Sequence, residues 1–270
     1  MRDASGFVGV WPFGVYKHVT AKDLAVRLER AGFSEAAVSP LAAVFQPDPM
    51  PANRSLLSAL RAPTAIPLLP VPVVNPAIGT WHTQITELDE LLSGRIPAVK
   101  ILPSYHLYDL EEHRLQELSS VLTARSIPIC VQVRMADERT HHPLMMVPPV
   151  PSEVVNAYAG RFPHLRVLIC GAYLRELNVY RGRPNVAVEL SFVESGHLLR
   201  DTLTVLSADQ VAIGTHSPLH TAAAGAAKLY SDDVSKEVRS QLADGTFLEI
   251  YRGRRTAFSP IGGISDSRSG

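Results

Sequence analysis

Three ionisable residues stand at the ends of short apolar runs: Lys100 in AVKIL (98–102), Glu189 in VAVELSF (186–192) and His216 just beyond QVAIG (210–214). Runs of this length and composition read as β-strands. Strand ends can bring a lysine, a carboxylate and an imidazole to one place, which offers anion binding and proton transfer. A charge inside a fold is costly unless paired, so Lys100 is expected to find Glu189 or another acceptor. That leaves two readings of the pair. It is purely structural, or Lys100 binds an anionic substrate or acts as a base or Schiff-base former. His216 is either a proton-transfer group or an imidazole hydrogen-bonded to neighbouring backbone.

A second cluster follows the run IPICVQV (127–133), in RMADERTHHPLM (134–145). As a strand, that run puts Gln132 and Arg134 on the face of Cys130. Asp137, Glu138, Arg139, His141 and His142 then form a polar loop suited to carboxylate binding or acid–base work, with Arg139 fitted for bidentate anion recognition. An exposed surface loop of the same composition is the alternative. Adjacent His141 and His142 also raise a metal site completed by Asp137 or His106, although neighbours in an extended segment point opposite ways. Trp11 and Phe13 either plug a cavity or wall one for an aromatic or acyl substrate, and Tyr105 and His106 of PSYH add polar groups at its rim. His18, His82, His113, His164 and His197 have no distinguishing spacing. No Gly-x-Ser-x-Gly elbow, phosphate loop or zincin motif occurs.

The elements that must position these residues alternate in type. Strand candidates at 7–11, 35–39, 66–74, 98–102, 127–133, 165–170, 186–192 and 210–214 are separated by segments of helical period or crossover length. Thr20 with Asp23 makes a capping-box-like helix start, with Leu24, Leu28 and Ala31 on one face and Gly32 as the stop. Asp109 and Glu112 repeat the device ahead of Leu115, Leu118 and Leu122, while Val154, Tyr158 and Phe162 form a third stripe. Repeated βα units predict an α/β protein, a (β/α)8 barrel in one domain over residues 1–255, with 256–270 as a flexible tail. A doubly wound open sheet is disfavoured because the first βα turn has no Gly-x-Gly-x-x-Gly. The proline-rich, polar segments 40–65 and 135–153 follow strands two and five, on the side of a barrel where sites are built.

Lys plus Arg and Asp plus Glu are balanced at 26 each, so the charge gives no grip on nucleic acid or on an anionic membrane. No apolar run approaches a membrane span and no secretory leader is evident, which predicts a soluble cytoplasmic protein. The two cysteines, Cys130 and Cys170, lack a Cys-x-x-Cys spacing and are expected to be buried and reduced.

The ordered series PAVKILPSYHLYDLEEHRLQELSSVLTARSIPICVQV, FPHLRVLICGAY, NVAVELS, QVAIGTHSP and YSDDVSKEVRSQLADGTFLEIY resembles the amidohydrolase-related family over most of residues 95–252. The resemblance implies an amidohydrolase-like TIM barrel with hydrolase, C–C lyase or decarboxylase chemistry. In many members of that superfamily the first strand ends in Asp-x-His-x-His, and the placement of FVGVWPFG puts Gly9, Trp11 and Phe13 in those slots. The strand-five histidine falls on Gln132, the strand-six histidine on Gly171 and the strand-eight aspartate on His216. A catalytic zinc needs about three protein ligands and an open position. The usual metal centre is therefore expected to be absent, with no cofactor implied. Lys100, Glu189 and a titratable His216 remain in register.

The leading expectation is a metal-independent hydrolase or C–C lyase acting on a small carboxylated molecule, with His216, Lys100 and Asp137 as catalytic candidates. Trp11, Phe13, Tyr105, His106, Gln132, Arg134, Arg139, His141, His142 and Glu189 are the candidate substrate contacts. One alternative is a catalytically inactive barrel that binds a ligand or supports a partner subunit. Another is a metal-dependent hydrolase with relocated ligands. A homodimer is the partner that the resemblance suggests, besides a small molecule.

Overall fold

Eight parallel strands are drawn together by ladders that run β1 (Arg2–Val8), β2 (Glu35–Pro40), β3 (Leu68–Pro70) in one group and β4 (Val99–Ile101), β5 (Ile129–Gln132), β6 (Val167–Cys170), β7 (Val186–Glu189), β8 (Val211–Ala212) in another. The computed structural model describes residues 1–13, 19–141 and 146–253. Two seams join the groups. Lys100 N donates to Pro72 O at 2.8 Å and Val74 N to Lys100 O at 3.0 Å, while Ala4 N donates to Ile213 O, His216 N to Ser5 O and Phe7 N to Ser217 O at 2.8, 2.8 and 2.7 Å. The sheet therefore closes into a barrel.

Helices wrap its outside and ends: α1 (Ala21–Arg30), α2 (Met50–Ala59), α3 (Trp81–Leu91), α4 (Pro103–His106), α5 (His113–Ala124), α6 (Ser152–Arg161), α7 (Leu198–Leu203), α8 (Ala222–Lys228), α9 (Lys236–Ser240) and α10 (Thr246–Arg252). The capping box of α1 is present: Asp23 N donates to Thr20 Oγ1 at 3.1 Å and Thr20 N to Asp23 Oδ2 at 3.3 Å. The device does not recur before α5, where Glu112 caps without a side-chain bond and Asp109 Oδ1 instead accepts from Glu111 N. Leu115, Leu118 and Leu122 are fully buried as the periodicity requires. In α6 the buried stripe is Val155, Tyr158 and Ala159, and Val154 and Phe162 pack on its margin.

The first strand is displaced from its expected place at 7–11 to Arg2–Val8. Its middle, Ala4-Ser5-Gly6, has little β-propensity, but it is paired on both sides, by β2 and by residues 213–217, and tertiary pairing outweighs composition. The third strand is short because Pro67, Pro70 and Pro72 remove ladder donors. The segment 40–65 is mostly ordered, with a 3-10 turn (Leu41–Phe45) and α2. The tail 256–270 lies outside the described residues. Among the described residues, no helix is long and apolar enough to cross a membrane.

Small side chains line the lower half of the barrel. Ala4, Ala37, Ala98, Ala187 and Ala212 leave room that Phe247, Ile250 and Tyr251 of α10 fill from below, beside Cys130, Leu168 and Cys170. Tyr251 Oη donates to Ala4 O at 2.7 Å, tying this floor to β1. Both cysteines are free and buried.

Candidate active site at the barrel mouth

The C-terminal strand ends carry a compact polar cluster. A register shift between Asp3 and Gly6 of β1 lets Ser5 and Phe7 both face Lys100 from β4. Lys100 is 2% exposed, and its Nζ donates to Ser5 Oγ at 3.2 Å and Gln132 Oε1 at 3.1 Å and lies 4.2 Å from the centre of the Phe7 ring. Gln132 presents that oxygen because its Nε2 donates to Arg134 O at 2.7 Å. Asp3 Oδ1 accepts from Ser5 N at 3.1 Å and Thr215 N at 2.8 Å, and Oδ2 accepts from Thr215 Oγ1 at 2.6 Å, binding β1 to the end of β8. Burial pushes the Asp3 carboxyl up to about 6, against those three hydrogen bonds.

The register shift turns Ala4, Ser5 and Phe7 toward the barrel interior, while Asp3, paired with Ala36, reaches Thr215 on the helix-facing side. Gly9, Trp11 and Phe13, which the resemblance places at the end of the first strand, lie beyond β1, which ends at Val8. The pattern Val-x-Val-Trp resembles a strand better than Ala-Ser-Gly does, which is why the sequence misplaces it.

The expected Lys100–Glu189 pair does not form. Glu189 Oε1 accepts from Gly171 N and Ser191 Oγ, and Oε2 from Ser191 N, each at 2.7 Å, so its charge is spent on β6 and β7 backbone. Gly214 makes room for it, since a Cβ there would stand 2.1 Å from Glu189 Oε2, while Gly171, at φ +85°, makes room for Arg134, whose O lies 2.8 Å from where its Cβ would be.

His216 is fully buried, at φ 53° ahead of a cis Ser217–Pro218 bond. Its Nε2 lies 2.9 Å from Met135 O, which can only accept, so Nε2 carries the proton and Nδ1 presents a lone pair with no partner. The ring stands edge-on to Phe7 and Phe192, each at 5.0 Å, with His220 at 5.3 Å. Burial, with His220 and Lys100 adding repulsion, holds its pKa well below the usual imidazole value. His216 is therefore held neutral, bonded to backbone through Nε2 and with Nδ1 unpartnered.

The loop after β5 works otherwise than expected. Arg134 is buried and forks onto Glu176 at 2.8 and 2.6 Å, also donates to Gly171 O and Glu138, and stacks 3.9 Å over Tyr173. Four of its five N–H donors are thus engaged within the protein, and it braces the loop after β5 against that after β6. Arg139 forks onto Asp137 in an exposed pair, and that guanidinium holds the Asp137 carboxyl well below the usual range. Asp137 and Arg139 thus engage each other. The pair lines one side of a cavity of about 510 Å³ with Tyr173, Arg175, Phe192 and Glu194. His141 is half-buried, with Nδ1 unpartnered. His142 lies outside the described residues.

On the other side of the mouth, Trp11, Phe13, Phe45 and Tyr105 form one aromatic group, with Trp11–Phe45, Phe13–Phe45 and Phe45–Tyr105 centroids 5.3, 5.7 and 6.0 Å apart. Trp11 is buried, whereas Phe13 is 50% exposed and Phe45 43%. Burial pushes the Tyr105 hydroxyl up to about 12. His106 turns inward, its Nε2 bonded to Ala43 O at 2.9 Å, so it braces the β2 loop instead of lining the rim. Burial lowers its pKa.

Sequence reasoning misses Asp3, Ser5, Phe7, Phe45, Tyr173, Phe192 and His220. The first three depend on the register shift within β1, which alternation does not give, and the others are brought in by loops whose path only the fold reveals. Among the described residues no three of His, Cys, Asp and Glu converge as a metal-ligand group.

No protein-family model matches the chain, and no curated protein matches it in sequence. Its fold is that of solved TIM barrels. A 5-carboxyvanillate decarboxylase from Novosphingobium aromaticivorans, complexed with manganese and 4-hydroxy-3-methoxy-5-nitrobenzoic acid, has a TM-score of 0.73 at 10% identity, covering 93% of this chain and 95% of that one. A 2,6-dihydroxybenzoate decarboxylase from Rhizobium has a TM-score of 0.66 at 11% identity, covering 93% and 99%. An uncharacterized TIM-barrel protein from Bordetella bronchiseptica has a TM-score of 0.69 at 13% identity, covering 94% and 100%. The chain has the (β/α)8 fold of these TIM barrels.

Proposed function

We propose that this chain is a barrel enzyme that cleaves the bond between a small aromatic molecule and its carboxyl carbon without a bound metal. The observation that carries the reading is the pairing of opposite chemistries around Phe7: the Lys100 ammonium on one face and the His216 ring at its edge. A carboxylate drawn to Lys100 places the attached ring toward His216. Nδ1 of His216 can take the proton of a neighbouring phenol and return it to the ring carbon that bears the carboxylate. The C–C bond then breaks as carbon dioxide leaves, its electron pair restores the aromatic ring, and the phenolate regains a proton from solvent. The aromatic group around Phe45 supplies a wall for a flat substrate.

The residues at the mouth do not fit a divalent cation. Phe7 and Gly171 have no donor atom, Ser5 and Gln132 offer neutral oxygens, and both carboxylates nearby are engaged with backbone donors. The likeness to decarboxylases in fold supports the substrate class, and a fold alone hosts many chemistries.

The test is carbon dioxide release from 2,6-dihydroxybenzoate and 5-carboxyvanillate by protein stripped with chelator. Turnover should appear, and His216→Asn, which suits the positive φ and can still donate to Met135 O, should lower kcat by about 100-fold or more, the usual worth of a general base. Turnover that depends on added manganese would overturn the metal-independent reading.

A second reading has its own observation. Phe7, Trp11, Leu41, Val73, Leu102 and Met135 form one apolar cluster over the polar centre, and Phe13 and Phe45 are exposed outside it. A mouth filled in this way suits a non-catalytic barrel that presents an aromatic surface to a partner.

A further inference from the structure

The manganese of the Novosphingobium enzyme is a fixed positive charge, and this chain supplies one of its own. Three features define it. First, Nζ of Lys100 is held by two neutral oxygens, Ser5 Oγ and Gln132 Oε1, at 3.2 and 3.1 Å, and by the face of Phe7 at 4.2 Å. Oxygens at the interior ends of β1 and β5 thus converge on an ammonium. Second, among the described residues no carboxylate lies within ion-pair distance of Nζ: Asp3 is occupied by Ser5 and Thr215, and Glu189 by Gly171 and Ser191. The charge is neither cancelled on the spot nor exposed to water, the condition in which an arriving anion gains most. Third, an ammonium has three N–H donors. Two reach oxygens, and Nζ also lies 4.2 Å from the centre of the Phe7 ring, which in turn meets the His216 ring.

We infer that the ammonium of Lys100 takes the place of a bound divalent cation at this barrel mouth, as the charge that holds a ligand's carboxylate. The inference rests on the reading that the chain takes small carboxylated molecules. The tethered charge cannot be removed by a chelator. It is also single, so it holds one carboxylate oxygen through the third N–H.

Calorimetric titration with 2,6-dihydroxybenzoate as the probe decides the matter. Wild-type protein is titrated after exhaustive EDTA treatment and again with excess manganese, and Lys100→Met, which keeps the length of the side chain and removes its charge, is titrated alongside. The dissociation constant of the wild type should be the same in both conditions. Lys100→Met should bind about 10- to 150-fold more weakly, the worth of a hydrogen bond to a charged group. Binding by the wild type that requires manganese overturns the inference, as does Lys100→Met binding as tightly as wild type. If Lys100→Met does not fold, the two wild-type titrations decide alone. Probe binding as expected without carbon dioxide release would overturn the decarboxylase reading and leave the assignment of the charge standing; no binding in either condition overturns both.

Discussion

The two ends of this barrel are built on opposite principles. At the floor, Ala4, Ala37, Ala98, Ala187 and Ala212 receive Phe247, Ile250 and Tyr251, so that the side chains there are uncharged, the polar atoms being two buried thiols and one tyrosine hydroxyl bonded to backbone. At the mouth, an ammonium, two carboxylates, an amide and an imidazole are buried within a few residues of the strand ends. The floor gains free energy from area removed from water. The mouth gives free energy up, because desolvating charge costs more than neutral hydrogen bonds return. A protein keeps such an arrangement at one end of a barrel when it uses it.

Truncation at the floor should have the largest effect. Phe247→Ala removes a buried aromatic ring that packs against Tyr251 in the floor cluster and leaves a cavity there. The expected loss is about 3–5 kcal/mol in urea denaturation. Probe affinity at the mouth should be unchanged while the protein remains folded. A comparable loss on Lys100→Met would break the contrast, because removing a buried charge that has only neutral partners should leave stability unchanged or raise it.

Asp3 gives the next effect and fixes its sign. Its carboxyl is raised from 3.8 to about 6 in the fold, so the folded state binds the proton more tightly than the unfolded chain. The stability it contributes is complete below about pH 4 and is lost as pH rises through 6, about 3 kcal/mol in all. His216 acts in the opposite direction: its depressed pKa makes stability fall as pH drops below the unfolded value of about 6.5. Urea denaturation from pH 4 to 7 should therefore show Asp3→Asn losing the alkaline decline and His216→Asn losing the acid one. A wild-type profile unchanged by Asp3→Asn would mean that the buried carboxyl is not held at about 6.

The fold was legible because barrels repeat. Strands four to eight fall within two or three residues of where their apolar runs place them, and α1 and α5 bury the stripes their spacing predicts. The first strand was not legible, because Ala4, Ser5 and Gly6 are chosen for what surrounds them: β2, the end of β8 and the Lys100 ammonium. Lys100, Gln132, Glu189 and His216 were found as interior residues, since strand alternation is local information. Their partners were not. Whether Lys100 meets Glu189 or Ser5 depends on barrel closure over nearly a hundred residues, and whether Arg134 is a substrate contact or a strut depends on Glu176, which arrives on the loop after β6. Loop chemistry that looked like a site, at Asp137 and Arg139, satisfies itself.

The smallest effect on stability tests the part of the mouth that the polar cluster leaves open. Phe13 is 50% exposed and touches Trp11 and Phe45 edge-on at 5.9 and 5.7 Å. Phe13→Ser should change the stability by no more than about 0.5 kcal/mol, as surface substitutions do. If the ring walls a substrate site, the affinity for 2,6-dihydroxybenzoate should fall about fivefold, the worth of one aromatic pair. If instead the ring belongs to a protein-facing surface, probe affinity will be unchanged and the variant will differ from wild type in its mass distribution on light scattering. The first result joins the aromatic group to Lys100 and His216 as one site; the second separates the rim from the centre and favours the non-catalytic barrel.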